Sequence, residues 1–340
     1  MTEDGPGIGV IGLGFMGATH INAWRQAALD GHPNRLVAVC DRNPARRAGQ
    51  SAVGPAGQEP LQFDRGAVAL YADAAELFAD PAVDVVSITT PTESHVPLAL
   101  AALAAAKHVL VEKPVALEVA AVQRLQQAAA SAGTLCMPAQ CIRFWPGWDW
   151  LIARVDDRSL GALKALHVQR LSSRPDWGDG FYDDATRCGG VVHDLHVHDA
   201  DWIRRLAGDP QWVSAREQSG QLTIEYGFIE GGGPEVVVAE ASWARDPTEG
   251  FFMGYEAEFE RGGASWSSQR EPPLQLAGPG PHELPAWVGG TGYDGQLRHL
   301  LAVLSGEVAA LEVTMADAVA SARMLEAVDR SLASGGAVPL

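Results

Sequence analysis

The sequence predicts an α/β protein in which a doubly wound parallel sheet comes first and a second domain built on an antiparallel sheet follows. Three observations carry this. Short β-branched runs alternate with Ala-rich helical stretches through the first third of the chain. From about Leu160, longer strand-like segments succeed one another across Gly-rich turns such as Gly231-Gly232-Gly233-Pro234. The length of 340 residues exceeds an ordinary domain of about 100–200 residues, so two domains are expected, at 1–135 and 136–340.

Residues 8–11, 36–40, 83–89 and 108–111 read as buried strands, because each is short, rich in Val or Ile, and lacks the polar alternation of a half-exposed strand. Between them, residues 17–29, 72–78, 96–106 and 117–132 read as helices. Strand–helix–strand repetition calls for a parallel sheet with helices on both faces. Residues 165–171, 222–229, 235–244 and 254–261 are the candidate strands of the second domain. A Pro/Gly-rich stretch over 271–295 predicts a long loop, and helices over 293–304 and 315–334 close the chain.

Composition removes several function classes. Apolar residues are 47% and charged residues 20%, a globular balance. Lys plus Arg number 25 against 42 for Asp plus Glu, a net charge of −17. Such a surface repels phosphate backbones and anionic lipid, so neither nucleic acid nor membrane is an expected partner. Cys40, Cys136, Cys141 and Cys188 form no small-domain disulfide framework and point to reduced thiols. The opening Met1-Thr2-Glu3-Asp4 is acidic where a signal peptide would be basic. The longest apolar run, 98–106, falls short of the roughly 18 residues of a membrane span. A cytoplasmic protein is the expectation.

Gly12-Leu13-Gly14-Phe15-Met16-Gly17 follows the first strand and opens the first helix, the context a G-x-G-x-x-G phosphate cradle requires. Gly12 would make the tight turn, Gly14 would let a pyrophosphate approach the backbone, and Gly17 would let helix and strand pack closely. The anion would meet the amides at the helix N-terminus. Asp41 ends the second strand at the spacing of the carboxylate that holds an adenosine ribose diol. That acid repels a 2′-phosphate and favours NAD, whereas Arg42, Arg46 and Arg47 close behind could hold one and would favour NADP. NAD is slightly preferred.

His108-Val109-Leu110-Val111-Glu112-Lys113-Pro114 is a buried strand ending in a charge pair and a proline. Open parallel sheets bind ligands at such carboxyl ends, where a lysine can donate to a substrate hydroxyl or lower the pKa of a neighbouring base. With these residues in view, the sequence resembles the Gfo/Idh/MocA oxidoreductases, the relatives of glucose–fructose oxidoreductase and inositol dehydrogenase. The glycine motif with His20, Thr90-Pro91-Thr92 with His95, the segment from Lys107 to Pro114, and Arg143-Phe144-Trp145-Pro146 are each similar to a family motif. The resemblance implies a Rossmann domain binding NAD or NADP, then a substrate-binding and oligomerisation domain with a large, mainly antiparallel open sheet. It also implies a homodimer or homotetramer formed through that sheet. The cofactor set it implies comprises Gly12, Gly14, Phe15, Met16, Gly17, Asp41, Arg42, Thr90, Pro91, His95, Glu112 and Lys113.

Gly189-Gly190-Val191-Val192-His193-Asp194-Leu195-His196-Val197-His198-Asp199 holds the densest polar chemistry. On a helix, Asp194 and His198 are four apart and share a face. An oriented imidazole can accept a hydroxyl proton while hydride leaves the same carbon. The resemblance implies a catalytic group of Lys113, Asp194 and His198, with His198 as general acid/base, Lys113 polarising the reacting oxygen and Asp194 positioning substrate or histidine. Cys188 stands where the family often has a third glycine. No metal is expected, since the run lacks H-x-H-x-D-H and H-E-x-x-H. Asp199 and Asp201 read as acids near a helix start. Substrate candidates beyond the catalytic group are Gln140, at a strand end facing the cleft, Arg143, and Trp177, whose face suits the C–H face of a sugar ring. The expected activity is hydride transfer between a nicotinamide and a secondary alcohol of a sugar, inositol or related polyol. The rivals are a non-catalytic dinucleotide sensor and NAD-assisted elimination chemistry on the same fold.

Overall fold

The structure, a computed structural model, describes residues 5–50, 63–178, 180–229, 231–278 and 290–340. The chain divides into two compact units. The first comprises residues 1–141, 177–188 and 291–319, and the second comprises 142–176, 189–290 and 320–340. This division is discontinuous, where the sequence suggested a single cut at 135/136.

The first unit is a six-stranded parallel sheet. Its strands are β1 (Gly7–Ile11), β2 (Arg35–Cys40), β3 (Ala69–Tyr71), β4 (Val85–Ile88), β5 (His108–Val111) and β6 (Cys136–Pro138), in the order β3-β2-β1-β4-β5-β6. That is the doubly wound order with its switch point between β1 and β4. Every residue of β1 and β4 is buried, as strands covered on both faces must be. The sequence reading missed β3 and β6, which are three residues each and lie at the sheet edges. β6 also ends in a proline, which an edge tolerates. Helix Gly292–Ser305 packs on helix Phe15–Leu29, with Arg298 paired to Asp30 at 2.9 Å.

The second unit carries an eight-stranded sheet. It is built from β7 (Leu163–Leu171), β8 (Trp212–Gln218), β9 (Gln221–Gly227), β10 (Val236–Ser242), β11 (Phe252–Phe259), β12 (Gly262–Ser267), β13 (Leu274–Ala277) and β14 (Val338–Pro339). The order is β13-β12-β11-β7-β10-β9-β8-β14, and only β7 and β10 run parallel. Alternation along β7, β9 and β10 buries one face and leaves the other half-exposed. On the buried side Trp148, Trp202, Tyr255 and Trp266 form one cluster, with Trp148 lying 4.5 Å from Trp202 and 5.2 Å from Tyr255 between ring centroids. Trp148 and Trp202 are core residues, fully buried. The loop predicted over 271–295 contains β13 and the start of a helix. Residues 279–289 of this stretch lie outside the described residues.

Candidate active site

In the first unit the glycine turn follows β1. Gly12 has φ +91°, and a Cβ there would lie 2.8 Å from the Thr89 carbonyl oxygen. A Cβ on Gly17 would sit 1.9 Å from the Gly12 oxygen, so this glycine sets how closely helix and strand approach. At Gly14 a Cβ would meet nothing within 4 Å. Gly14 is also the N-cap of helix Phe15–Leu29, which has no side-chain cap and no acid in its first turn. An open space before an uncapped helix N-terminus fits a pyrophosphate. Phe15 and Met16 are half-exposed beside it, and Trp177 lies 6.2 Å from Phe15 between ring centroids.

Asp41 leaves β2 with both carboxylate oxygens engaged. Oδ2 accepts the Leu13 N–H at 2.7 Å, and Oδ1 accepts the Asn43 N–H at 2.8 Å. The acid thereby braces the glycine turn, which sequence spacing alone does not reveal. Arg46 lies 3.8 Å from Oδ2, Arg47 donates to the carbonyls of Asp41 and Arg42, and Arg42 is exposed.

Beyond β4, Thr89 Oγ1 donates to the Gly12 oxygen at 2.7 Å, tying the turns after β1 and β4 together. The sequence reading overlooked Thr89, whose only signal is its place at a strand end. Thr90 is half-exposed and Pro91 exposed. His95, predicted to touch cofactor, is buried, with Nδ1 2.9 Å from the Pro114 oxygen and Nε2 2.7 Å from the Thr90 oxygen. Burial pushes its pKa below the ordinary imidazole value, against the pull of both carbonyls. Glu112 is likewise turned inward, and its two oxygens are taken by His20 and by the Lys113 N–H. Burial opposes its charge, but the His20 hydrogen bond and the charges of Lys113 and His95 hold its carboxyl below the usual range. The side chains of His95 and Glu112 are thus held by internal partners, while Lys113 at the strand end is half-exposed. Gln140 is buried, and its Oε1 has no partner among the described residues.

In the second unit, one wide helical turn, Val191–Leu195, leads into helix Val197–Ala207. His193 reaches Asp329 at 2.7 Å, and His196 Nε2 lies 2.5 Å from the Tyr226 hydroxyl. Asp199 accepts two hydrogen bonds from Arg170, at 3.0 and 2.7 Å. Asp201 accepts a bidentate pair from Arg143, both at 2.7 Å. Burial opposes the charge on Asp199, yet Arg170 and His196 hold its carboxyl below the usual range. For Arg143 a substrate contact and a structural ion pair read equally well from sequence; its side chain makes the ion pair and is 1% exposed. Asp199 does lie in the first turn of helix Val197–Ala207, and both acids are in addition buried members of ion pairs. Their partners lie 29 and 58 residues away, beyond any local signal. Of the ionisable residues from His193 to Asp201, Asp194 and His198 are the half-exposed ones. Among the described residues, no group of three or more His, Cys, Asp or Glu is arranged to hold a metal. No described helix is long and apolar enough to cross a membrane.

A six-stranded doubly wound sheet with a glycine cradle and a braced strand-end acid defines a dinucleotide-binding protein. Residues 7–140 match the model of the oxidoreductase family with an NAD-binding Rossmann fold, and residues 149–246 match the GFO/IDH/MocA C-terminal domain. The chain belongs to the Gfo/Idh/MocA oxidoreductase family. It is similar to a myo-inositol 2-dehydrogenase of Thermotoga maritima, with 30% identity over 59% of this chain and 55% of that protein. An inositol 2-dehydrogenase of Rhizobium meliloti is 27% identical over 78% of each. The chain spans about half the length of several curated relatives that it matches. The fold superposes on an oxidoreductase domain protein from Kribbella flavida with TM-score 0.81 and 24% identity, covering 100% of this chain and 99% of that one.

Proposed function

We propose that this chain is an NAD-dependent dehydrogenase or reductase acting on a secondary alcohol of a sugar, inositol or related polyol. The observation that carries the reading is selection by exposure. Of the six titratable residues from His193 to Asp201, four are buried and only Asp194 and His198 are half-exposed. A turn and helix start that bury the other ionisable groups and keep an acid and an imidazole half-exposed are suited to proton transfer.

A nicotinamide dinucleotide held along Gly12, Gly14, Phe15, Met16, Gly17, Asp41, Thr90 and Pro91 would supply the hydride acceptor. In this reading His198 takes the hydroxyl proton on an imidazole nitrogen, Asp194 orients substrate or imidazole, and the Lys113 ammonium donates to the oxygen whose charge changes. Gln140 and Trp177 are the remaining substrate-facing candidates. NAD is favoured over NADP because a carboxylate closes β2 and Arg47 is already committed to two backbone carbonyls. The dinucleotide and substrate classes also draw support from the inositol dehydrogenases to which the chain is similar. A second copy of the chain is the proposed occupant of the half-exposed sheet face around Ala165, His167, Val236 and Val238, and four buried free thiols suit a reducing cytoplasm.

Absorbance of the reduced nicotinamide across a panel of polyols and sugars, with NAD and with NADP, tests the activity. Turnover with NAD is the expected result. For a polyol that wild type oxidises, His198→Ala lowers turnover by about 10²–10⁴-fold, and unchanged turnover removes His198 as the base. Saturable dinucleotide binding without turnover on any member of the panel would instead favour the sensor.

A further inference from the structure

The first unit contains a chain of buried polar side chains that the reaction above does not use. Trp24 Nε1–H donates to Ser87 Oγ at 3.2 Å, and Ser87 Oγ lies 3.1 Å from His20 Nδ1. His20 Nε2 lies 2.9 Å from Glu112 Oε1, and Glu112 Oε2 accepts the Lys113 N–H at 3.1 Å. His20 and Ser87 are fully buried. An ionised Glu112 only accepts, so His20 Nε2–H donates to it. In the neutral imidazole Nδ1 then accepts the Ser87 hydroxyl hydrogen, while Ser87 Oγ accepts from Trp24. The tautomer is fixed by this pattern of donors and acceptors. The relay ends in a buried carboxylate just beyond β5, an arrangement that is costly unless a cation compensates. The charged or titratable groups facing Glu112 are His20 from helix Phe15–Leu29, His95 from helix His95–Ala104, and Lys113 from its own strand end. Of these side-chain types lysine is ordinarily the most basic.

We propose that His20, Ser87 and Glu112 are positioning residues for Lys113: the relay fixes Glu112 as a buried anion, the anion keeps Lys113 an ammonium, and His20 ties that strand end to the helix opening at the glycine turn. The inference rests on the reading that Lys113 is the working lysine. A lysine polarising a substrate oxygen must be charged, and a buried neighbouring anion that cannot rotate away secures this better than a surface acid could. It also gives His20 a purpose within the glycine-motif helix, although its side chain points into the core and not toward the cradle.

Competitive labelling of the full-length protein with acetic anhydride, from about pH 7 to pH 11, reads the Lys113 amine directly by peptide mass spectrometry. It needs neither dinucleotide nor substrate, and Lys107 and Lys164 serve as internal standards. Glu112→Gln moves the Lys113 profile about one pH unit lower, roughly tenfold more reactive amine at a given pH, while the two standards stay in place. His20→Gln, which keeps a donor toward Glu112, retains the wild-type profile, and His20→Leu shifts it in the direction of Glu112→Gln. A Glu112→Gln protein with native near-ultraviolet dichroism and an unmoved Lys113 profile overturns the proposal. Should that variant not fold, identical Lys113 profiles in His20→Gln and His20→Leu overturn it equally. Failure of wild type to oxidise any polyol would count against the dehydrogenase reading and leave the labelling result standing.

Discussion

The surroundings of Lys113 in the first unit and of His198 in the second use similar residue types held by opposite means. Around Lys113 the buried groups form a mostly neutral relay of indole, hydroxyl and imidazole that ends in one carboxylate. Around His198 the buried carboxylates are each clamped by a guanidinium, Asp199 by Arg170 and Asp201 by Arg143. A neutral relay loses one or two hydrogen bonds when a member is removed. An ion pair in the core strands a whole charge. The first arrangement can therefore tune the half-exposed residue beside it, whereas the second anchors the helix that presents one.

Stability measurements give the largest expected contrast. Asp201→Asn leaves Arg143 buried without its counter-charge and should cost about 3–5 kcal/mol, read as a lowered urea midpoint. Ser87→Ala leaves two polar partners unsatisfied and should cost about 1–3 kcal/mol. Replacing both members of the second-unit pair, as Arg143→Met with Asp201→Leu, should recover much of the loss, because matched apolar groups often equal a buried pair. Equal losses for Asp201→Asn and Ser87→Ala would erase the distinction between the two regions.

These differences bear on what could be read from residues alone. The strands β1, β2, β4, β5 and β10 declare themselves by β-branched content, and the glycine turn by its place between strand and helix. β3, β6 and β14 are two or three residues long, too short for any periodicity, and helix Trp148–Asp157 hides in a stretch where tryptophans dominate the eye. At the site, Lys113, Asp194 and His198 stand out by motif. Their supports do not: Arg143 reads equally well as a substrate ligand until Asp201 is found beside it, and the commitment of Glu112 shows only when its side chain is found buried against His20. Polar density in a sequence marks where charges gather, and only burial tells which of them are committed to the fold.

A smaller effect separates binding from folding within the first unit. Gly14→Ala places a methyl in space that the protein leaves open, so the urea midpoint should stay at the wild-type value while affinity for NAD falls about tenfold or more, near 1.4 kcal/mol. Gly17→Ala drives its Cβ into the Gly12 carbonyl and should lower the midpoint itself, by the 1–3 kcal/mol or more typical of overpacking (roughly). Calorimetric titration with NAD beside urea unfolding separates the two, and a Gly14→Ala protein that binds NAD as wild type does would remove the cradle from the proposed site.

The gentlest contrast lies in pH. His95, His108 and His299 all belong to the first unit, and burial pushes each below the ordinary imidazole value of 6.5. Between that value and the lower folded one the unfolded chain binds more protons than the folded chain, so stability present above pH 6.5 is lost as pH falls. In the second unit Asp199 lies below its ordinary value of 3.8, because Arg170 and His196 outweigh the effect of burial. Its contribution is present above that pH and is lost only on going lower. Acid should thus loosen the first unit before the second, and His95→Gln should flatten part of the first decline. Urea unfolding at stepped pH, with hydrogen exchange followed separately in peptides of β1 and β4 and of β7 and β10, resolves the order. If the β7 and β10 peptides lose protection first between pH 6.5 and 5, the guanidinium pairs do not anchor the second unit as strongly as their geometry requires.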